Sequence, residues 1–275
     1  MPVSPSQSEK ALIFRQLHLS PEPFVIPNPW DAASARMLAS LGFKALATSS
    51  VAAAWGLGRV DGAITRDQAL ANAKLVVEAS ALPVSADLEN GYGDDPATVV
   101  ETIRRAAGVG LVGGSIEDST REAPHSIYSL AHATERVAAA AEAARSLPFP
   151  FTLTARAENF LRGKRDLDDT VKRLQAYERA GADVLFAPGL PDIDAIRTVC
   201  GALTKPVNVM AAVAGAGFSA RQLAEAGVRR ISIGGALYRA AISGAFAAAQ
   251  EVQRSGTFGF TNQILPSAQV VEFLV

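Results

Sequence analysis

Two carboxylates, Asp87 and Glu89, stand two positions apart in a segment with the alternating pattern of a β-strand. The apolar residues Val84, Ala86 and Leu88 alternate there with Ser85, Asp87 and Glu89. This period of two predicts that both acids share one face, with roughly 6.6 Å between their Cα atoms. Two like charges so close on a buried strand are unfavourable unless a cation lies between them. Carboxylate oxygens suit Mg²⁺, so the segment predicts a magnesium site. The alternative is a pair of solvated acids at a strand end.

The elements that must position these acids form a regular series along the chain. Strand-like segments are predicted at 24–27, 45–49, 82–89, 111–117, 151–156, 184–187, 207–210 and 230–233, with helical segments between them. Such alternation is typical of parallel strands joined by right-handed crossovers. Eight strands within 275 residues favour the α/β class and a closed (β/α)8 TIM barrel. A doubly wound open sheet is the alternative, but no G-x-G-x-x-G motif follows the first strand.

Composition limits the classes of protein that fit this chain. A hydrophobic fraction of 49% suits a single domain spanning 1–275, with a capping helix at 8–19 and a C-terminal tail. A net charge of −1 argues against a nucleic-acid partner. The single cysteine, Cys200, excludes an internal disulfide and fits the reducing cytoplasm. Residues 1–8 lack the pattern of a signal peptide, and no apolar run is long enough to span a bilayer, so we expect no membrane partner.

Polar residues collect where the predicted strands end, which is where barrels of this kind carry their active sites. These polar residues are Asn28, Ser49, Ser50, Asp87, Glu89, Glu117, Asp118, Arg156, Glu158 and Asn208, and the same strand ends also carry Pro188, Met210 and Gly234. The acids Asp87, Glu89 and Glu117 are predicted to hold Mg²⁺, partly through water. Arg156 is predicted to bind a substrate carboxylate through two hydrogen bonds, and the backbone amides at 49–51 to bind further anionic oxygens. The alternative is an ion-pair network that only braces the mouth of the barrel.

Two segments are predicted to be loops over this end of the barrel. The segment 50–63 is rich in glycine and carries Asp61, and the segment 118–128 carries His125. Loops over a barrel mouth often close over the substrate. His125 is a candidate proton donor or acceptor, with an ordinary solvated histidine as the alternative. The tail, 257–275, ends in apolar residues, and packing against a second subunit would bury them.

Several motifs, taken in order, resemble those of the isocitrate lyase / phosphoenolpyruvate mutase superfamily. The segment 87–93 resembles its D-x-D/E-x-G-Y-G element, 115–118 its second acidic element, and 154–158 its A-R-x-E element. The segments 28–36 and 42–45 resemble its opening. The similarity extends from about Phe24 to Gly244.

The resemblance implies a barrel that uses Mg²⁺, or alternatively Mn²⁺, to act on a C–C or P–C bond beside a 2-oxo acid, through an enolate. It implies Asp87 as the closest metal ligand, with Glu89, Glu117 and Asp61 as outer ligands through water. It implies that Ser49, Ser50 and Val51 bind the substrate carboxylate and that Arg156 binds substrate oxygens. It also implies a homo-oligomer, a dimer or tetramer, in which the final helix at 235–254 is exchanged between subunits.

The sequence departs from both prototypes of the superfamily. Isocitrate and methylisocitrate lyases carry a K-K-C-G-H loop with an acid/base cysteine, whereas 119–126 contains no cysteine. Phosphonomutases carry a lysine near Ala123 and an asparagine near His125, and both are absent. The exit of the sixth strand, where relatives place a histidine or glutamate, is Pro188.

These observations lead to three hypotheses. The first is a lyase for a small 2-oxo or 2-hydroxy dicarboxylic acid, with Arg156, His125 and Asp61 as catalytic residues and Asp87 and Asn208 among the substrate-binding ones. Oxaloacetate decarboxylation tolerates the missing cysteine best, and cleavage of isocitrate or methylisocitrate comes next. The second is a phosphonomutase or phosphonopyruvate hydrolase. The third is a protein that binds a 2-oxo acid without turnover.

Overall fold

Eight parallel strands form a barrel in the computed structural model, which describes residues 5–120, 126–212 and 217–274. The strands are β1 (Phe24–Ile26), β2 (Leu46–Ala47), β3 (Val84–Asp87), β4 (Gly113–Glu117), β5 (Thr152–Arg156), β6 (Val184–Phe186), β7 (Val207–Met210) and β8 (Arg230–Ser232). Their order is β1-β8-β7-β6-β5-β4-β3-β2. A hydrogen bond of 3.0 Å from the Ala47 amide to the Pro27 carbonyl joins the two ends of this series. The predicted (β/α)8 barrel is thereby confirmed.

Helices alternate with the strands, and most of them pack on the outside of the barrel. They are α1 (Gln7–Leu19), α2 (Ala32–Ser40), α3 (Ser50–Gly56), α4 (Arg66–Ala79), α5 (Pro96–Gly108), α6 (Leu130–Arg145), α7 (Leu167–Ala180), α8 (Ile193–Gly201), α9 (Ala220–Glu225), α10 (Ala236–Ser255) and α11 (Ser267–Leu274), with a short 3-10 helix at Gly259–Asn262. No helix in the described ranges has the length and apolar character that a membrane span requires.

Helix α1 closes the N-terminal end of the barrel. It begins at a capping box in which Ser6 and Glu9 each accept a hydrogen bond from the other's backbone amide. Ala11 and Phe14 are fully buried in a cluster with residues that begin the strands. A Cβ atom at Gly113 would lie 2.9 Å from the Phe14 ring, so only glycine allows this helix to approach β4 so closely.

The sequence predicted a loop over the whole segment 50–63, but part of this segment is helical. Ser50–Gly56 forms α3, and the Ser49 hydroxyl accepts the Ala52 amide as its N-cap. The alanine-rich run after Ser49 is a favourable helix sequence, which explains the difference. Asp61 lies in the turn that follows α3.

The alternation that placed Asp87 and Glu89 on one strand face ends at Asp87. Strand β3 stops there, and Glu89 has a backbone φ of +48°, in the left-handed region. The Glu89 amide donates to Asp87 Oδ1 at 3.2 Å, which closes a turn at the end of the strand. Glu89 therefore leaves the strand in a direction that the period-2 pattern does not predict.

The long final helix predicted at 235–254 is confirmed as α10. None of its residues is buried, and Ile242 and Phe246 are 50% and 63% exposed. The chain then returns to the barrel through α11, which packs on α2, where Arg36 donates to the Leu274 carbonyl.

Candidate active site

A cavity of about 180 Å³ opens at the C-terminal ends of the strands and continues into the barrel interior. Its wall includes Asn28, Ser49, Ser50, Val51, Asp61, Ser85, Asp87, Ser115, Arg156, Asn208, Arg230 and Ser232. Barrel interiors are normally filled by branched apolar side chains. The concentration of polar groups at this end of the barrel marks it as the candidate site.

Arg156, at the end of β5, is the centre of a buried group of charges. Its guanidinium lies 2.7 Å from Glu158 Oε1, 3.1 Å from Asp87 Oδ1 and 3.4 Å from Glu117 Oε2. The ring of Phe186 packs against it, 4.9 Å from the guanidinium carbon. β5 lies between β4, which ends at Glu117, and β6, which ends at Phe186, so the sheet order brings these groups together.

Burial and the neighbouring charges shift the pKa values of Arg156 and of the carboxyl groups around it. Burial alone would lower the pKa of Arg156, but Glu158, Asp87 and Glu117 together raise it well above its usual value. Burial, reinforced by repulsion from Glu158, raises the pKa of Glu117 to about 8. Burial also raises the pKa of Glu158, although Arg156 opposes the shift. Arg162 adds a second guanidinium, 3.6 Å from Glu117 Oε1 and 4.0 Å from Glu158 Oε2, so the charges of the group largely offset one another.

Ser50 connects two carboxylates at the mouth of the cavity. Its hydroxyl lies 3.0 Å from Asp87 Oδ2 and 3.4 Å from Asp61 Oδ1. Desolvation at the cavity wall, followed by repulsion from Asp87, raises the pKa of Asp61, although this residue keeps substantial contact with solvent. The start of α3 therefore brings the predicted residues Ser50 and Asp61 to Asp87.

A second group of polar side chains lies deeper in the barrel. Asn208 on β7 donates to Ser232 at 3.1 Å and accepts from Arg230 Nε at 2.9 Å. Arg230 Nη2 donates to Thr154 Oγ1 at 3.0 Å. The sequence predicted Asn208 but missed Arg230. An arginine in a strand buried on both faces, two positions before Ser232, was the available signal.

The predicted residues thus divide into three groups. Ser49, Ser50, Val51, Asp61, Asp87, Arg156 and Asn208 all line the cavity. Glu117 contacts Arg156, and Glu89 is buried in the turn after β3, but neither belongs to the cavity wall. His125 lies outside the described residues.

The three acids predicted as metal ligands come together only in part, because Asp87 and Glu117 both contact Arg156 whereas Glu89 lies in the turn after β3. Within 5–120, 126–212 and 217–274, no three or more His, Cys, Asp or Glu side chains are grouped to hold a metal ion. The oxygen atoms of Asp87, Asp61 and Ser50 nevertheless suit Mg²⁺, which commonly takes one or two carboxylates and completes its shell with water and substrate. The role of Glu89 and Glu117 as ligands stays a prediction.

A larger cavity of about 530 Å³ lies at the opposite end of the barrel. It is bordered by α1 and by the starts of β5 and β6, and Arg15, Arg145, Lys205 and Asp183 are among its polar residues. Size alone would favour this cavity as the active site. We assign the site to the smaller cavity because the strand ends, where such barrels place their chemistry, converge there.

Comparisons with known proteins agree with this fold. Residues 14–253 match the family described as phosphoenolpyruvate phosphomutase. The chain is 29% identical over 250 residues to oxaloacetate decarboxylase from Chromohalobacter salexigens. The matched region covers 88% of this chain and 85% of that protein.

Two solved structures are similar over almost the whole chain. A Burkholderia cenocepacia protein provisionally assigned as a lyase/mutase superposes with a TM-score of 0.95 at 53% identity, covering 98% of this chain and 96% of the other. The structure of 2,3-dimethylmalate lyase superposes with a TM-score of 0.86 at 27% identity, covering 97% and 95%.

Proposed function

The chain belongs to the phosphoenolpyruvate phosphomutase family of enzymes, within the isocitrate lyase / phosphoenolpyruvate mutase superfamily, and on that premise we propose its reaction. We propose that it is a Mg²⁺-dependent lyase that cleaves a C–C bond next to the carbonyl of a small 2-oxo or 2-hydroxy dicarboxylic acid. Oxaloacetate decarboxylase and 2,3-dimethylmalate lyase, both similar to this chain, act on acids of this class by their names.

The observation that carries the proposal is the buried group around Arg156. The guanidinium of Arg156 lines a cavity walled by polar groups, where its positive charge is suited to hold an anionic substrate once a bound cation offsets Asp87. Phe186 and the strand neighbours fix the guanidinium plane, so its remaining donors have a constant direction. A substrate carboxylate is expected to bind between Arg156 and the backbone of Ser49–Val51.

A divalent cation, Mg²⁺ or Mn²⁺, would be held chiefly by Asp87, with Asp61, Glu89 and Glu117 contributing through water. When bound, it would supply positive charge that stabilises a developing enolate. The Ser50 hydroxyl lies between Asp87 and Asp61, and Arg156 offsets part of the charge of Asp87. His125 or a water molecule is proposed to move the proton.

The test is a substrate panel with the purified full chain and MgCl2. Oxaloacetate, isocitrate, methylisocitrate and 2,3-dimethylmalate are supplied separately, and release of a 2-oxo acid is measured by a coupled dehydrogenase assay. We expect cation-dependent release from at least one of these acids, abolished by EDTA and restored by Mg²⁺. Absence of turnover with the whole panel, together with tight binding of a 2-oxo acid, would instead identify a non-catalytic binding protein.

A phosphonomutase or phosphonopyruvate hydrolase is the second candidate, favoured by the family that matches residues 14–253. The same assay includes phosphonopyruvate as a substrate. Conversion to phosphoenolpyruvate or release of inorganic phosphate, with no reaction of the carboxylic acids, would replace the first proposal with this one.

A further inference from the structure

Arg230 is a buried cation whose partners are all neutral. Its guanidinium donates to Asn208 Oδ1 at 2.9 Å and to Thr154 Oγ1 at 3.0 Å, and it lies 3.4 Å from His18 Nε2. His18 Nδ1 is 2.8 Å from the Phe14 carbonyl, so Nδ1 carries the proton and Nε2 accepts from Arg230. In the part of the chain that the structure describes, no carboxylate forms an ion pair with Arg230.

This arrangement contrasts with that of Arg156 in the same cavity. Arg156 has three carboxylate neighbours, whereas Arg230 has none among the described residues. Burial, followed by repulsion from Arg156, lowers the pKa of Arg230 to about 9, so it stays a cation at neutral pH. A buried unpaired charge is unfavourable, and structures normally retain one only where another charge balances it.

The position of Arg230 shows where a negatively charged group that pairs with it would lie. Thr154, its partner, precedes Arg156 by two residues on β5, so Arg230 lies about one layer deeper in the barrel, roughly 6.6 Å along the strand. Both arginines line the same cavity. Three of the five N–H groups of Arg230 contact protein atoms, which leaves two donors for a ligand.

We propose that Arg230 binds the second carboxylate of the substrate, and that it selects dicarboxylic over monocarboxylic acids. The inference rests on the proposed function and names the substrate feature that the site recognises. One carboxylate lies at Arg156 near the mouth, and the other extends into the barrel to Arg230, with Asn208 and Ser232 beside it.

The subsite also affects which bond can break. An ion pair stabilises a carboxylate in its charged form, whereas decarboxylation converts that group into neutral CO₂. Binding at Arg230 therefore opposes loss of the carboxylate that it holds. Among the reactions proposed above, the subsite favours cleavage that keeps both carboxylates over decarboxylation of oxaloacetate.

The test uses malate and 2-hydroxybutyrate, two four-carbon 2-hydroxy acids that differ by one carboxylate. Their binding to the full chain in MgCl2 is measured by isothermal titration calorimetry, which requires no turnover. We expect the wild-type protein to bind malate at least tenfold more tightly. Arg230→Met should weaken malate binding at least tenfold and leave 2-hydroxybutyrate binding unchanged, and Arg230→Lys should give an intermediate malate affinity.

Arg229→Met is the matched control, because it removes the same charge from the adjacent residue, which is only half-buried and does not line the cavity. It should leave both affinities unchanged. Equal binding of the two acids by the wild-type protein would overturn the proposal, and so would a malate preference that survives in Arg230→Met. If circular dichroism shows that Arg230→Met is unfolded, the proposal is tested by the wild-type preference for malate and by the malate affinity of Arg230→Lys. Full malate affinity in Arg230→Lys would then overturn the proposal.

The outcomes separate this inference from the proposed function. An Arg230-dependent malate preference without turnover of any panel substrate contradicts the proposed function and leaves the subsite in place. Turnover without such a preference contradicts only the subsite.

Discussion

The pKa of His18, at the N-terminal end of the barrel, is set by the residues around its ring. It is buried, with its ring packed edge-on against Phe14 and Phe24 and its Nε2 facing Arg230. Burial, followed by the positive charge of Arg230, lowers the pKa of His18 to about 3. The folded protein therefore holds this histidine in its neutral form, with the proton on Nδ1.

Acid should destabilise the protein through His18. Because its pKa is lower in the folded than in the unfolded state, the stability that it contributes is complete above pH 6.5 and is lost as the pH falls toward 3. At pH 5 the loss is about 2 kcal/mol. Urea unfolding at pH 7 and pH 5 should show this loss in the wild-type protein and a smaller one in His18→Gln.

His132→Gln is the control, because that histidine lies on α6 at the protein surface. It should retain the full loss between pH 7 and pH 5. The same pH dependence in His18→Gln as in the wild-type protein would show that His18 does not carry the effect.

At the residue scale, the sequence was enough to identify most of the polar residues of the cavity wall. Asp87, Arg156 and Asn208 were predicted because parallel strands bring their C-terminal ends together. Arg230 was missed because its role depends on neutral partners from α1, β5 and β7, which lie far away in sequence. Glu89 was expected to share a strand face with Asp87 because apolar and polar residues alternate there. Strand β3 ends at Asp87, so this alternation does not place Glu89.

At the scale of elements, the turn after β3 is held in place by α6. Arg136 donates to the carbonyls of Asn90, Gly93 and Asp94, and its guanidinium stacks on the Tyr128 ring at 4.3 Å. The turn has left-handed backbone at Glu89 and Tyr92, which is uncommon for residues other than glycine. Arg136 therefore stabilises a turn that would otherwise be strained.

Arg136→Met should destabilise the protein by about 3 kcal/mol, because it leaves buried carbonyls without donors. Activity should fall as well, since the turn fixes the end of β3 at Asp87. Chemical denaturation and the substrate assay measure the two effects. Arg104→Met, at an exposed position on α5, should change neither, and equal stability of the two variants would contradict this role for Arg136.

The sequence predicted the order of strands and helices but not every boundary. Periodicity places elements well, whereas ends are decided by caps and turns that depend on a few atoms. Ser49 is an example. Its side chain caps α3, in a segment for which the composition had predicted a loop.

At the scale of the whole molecule, α10 leaves apolar side chains in solvent. Ile242 and Phe246 are four positions apart, so they share one face of this helix, and both are at least half exposed. Apolar faces of this kind mark interaction surfaces. Together with the tail, they support the proposal that the chain forms a homo-oligomer through α10.

Light scattering coupled to size-exclusion chromatography should give the mass of a dimer or tetramer, against 28.7 kDa for one chain. Phe246→Glu should lower the mass toward that of a monomer, because it places a charge in the apolar contact. Gln253→Glu adds the same charge at an exposed polar position of α10 and should leave the mass unchanged. A monomeric wild-type protein would contradict the proposal.

The central claim is that Asp87 and its neighbours bind a divalent cation on which C–C cleavage depends. The most direct test measures Mg²⁺ affinity by calorimetry, and Mg²⁺-dependent release of a 2-oxo acid, in Asp87→Asn and in Asp168→Asn, an exposed acid at the start of α7. We predict that Asp87→Asn weakens Mg²⁺ binding and lowers turnover by about 100-fold or more, while Asp168→Asn matches the wild-type protein. Wild-type Mg²⁺ affinity and turnover in a folded Asp87→Asn variant would contradict the account.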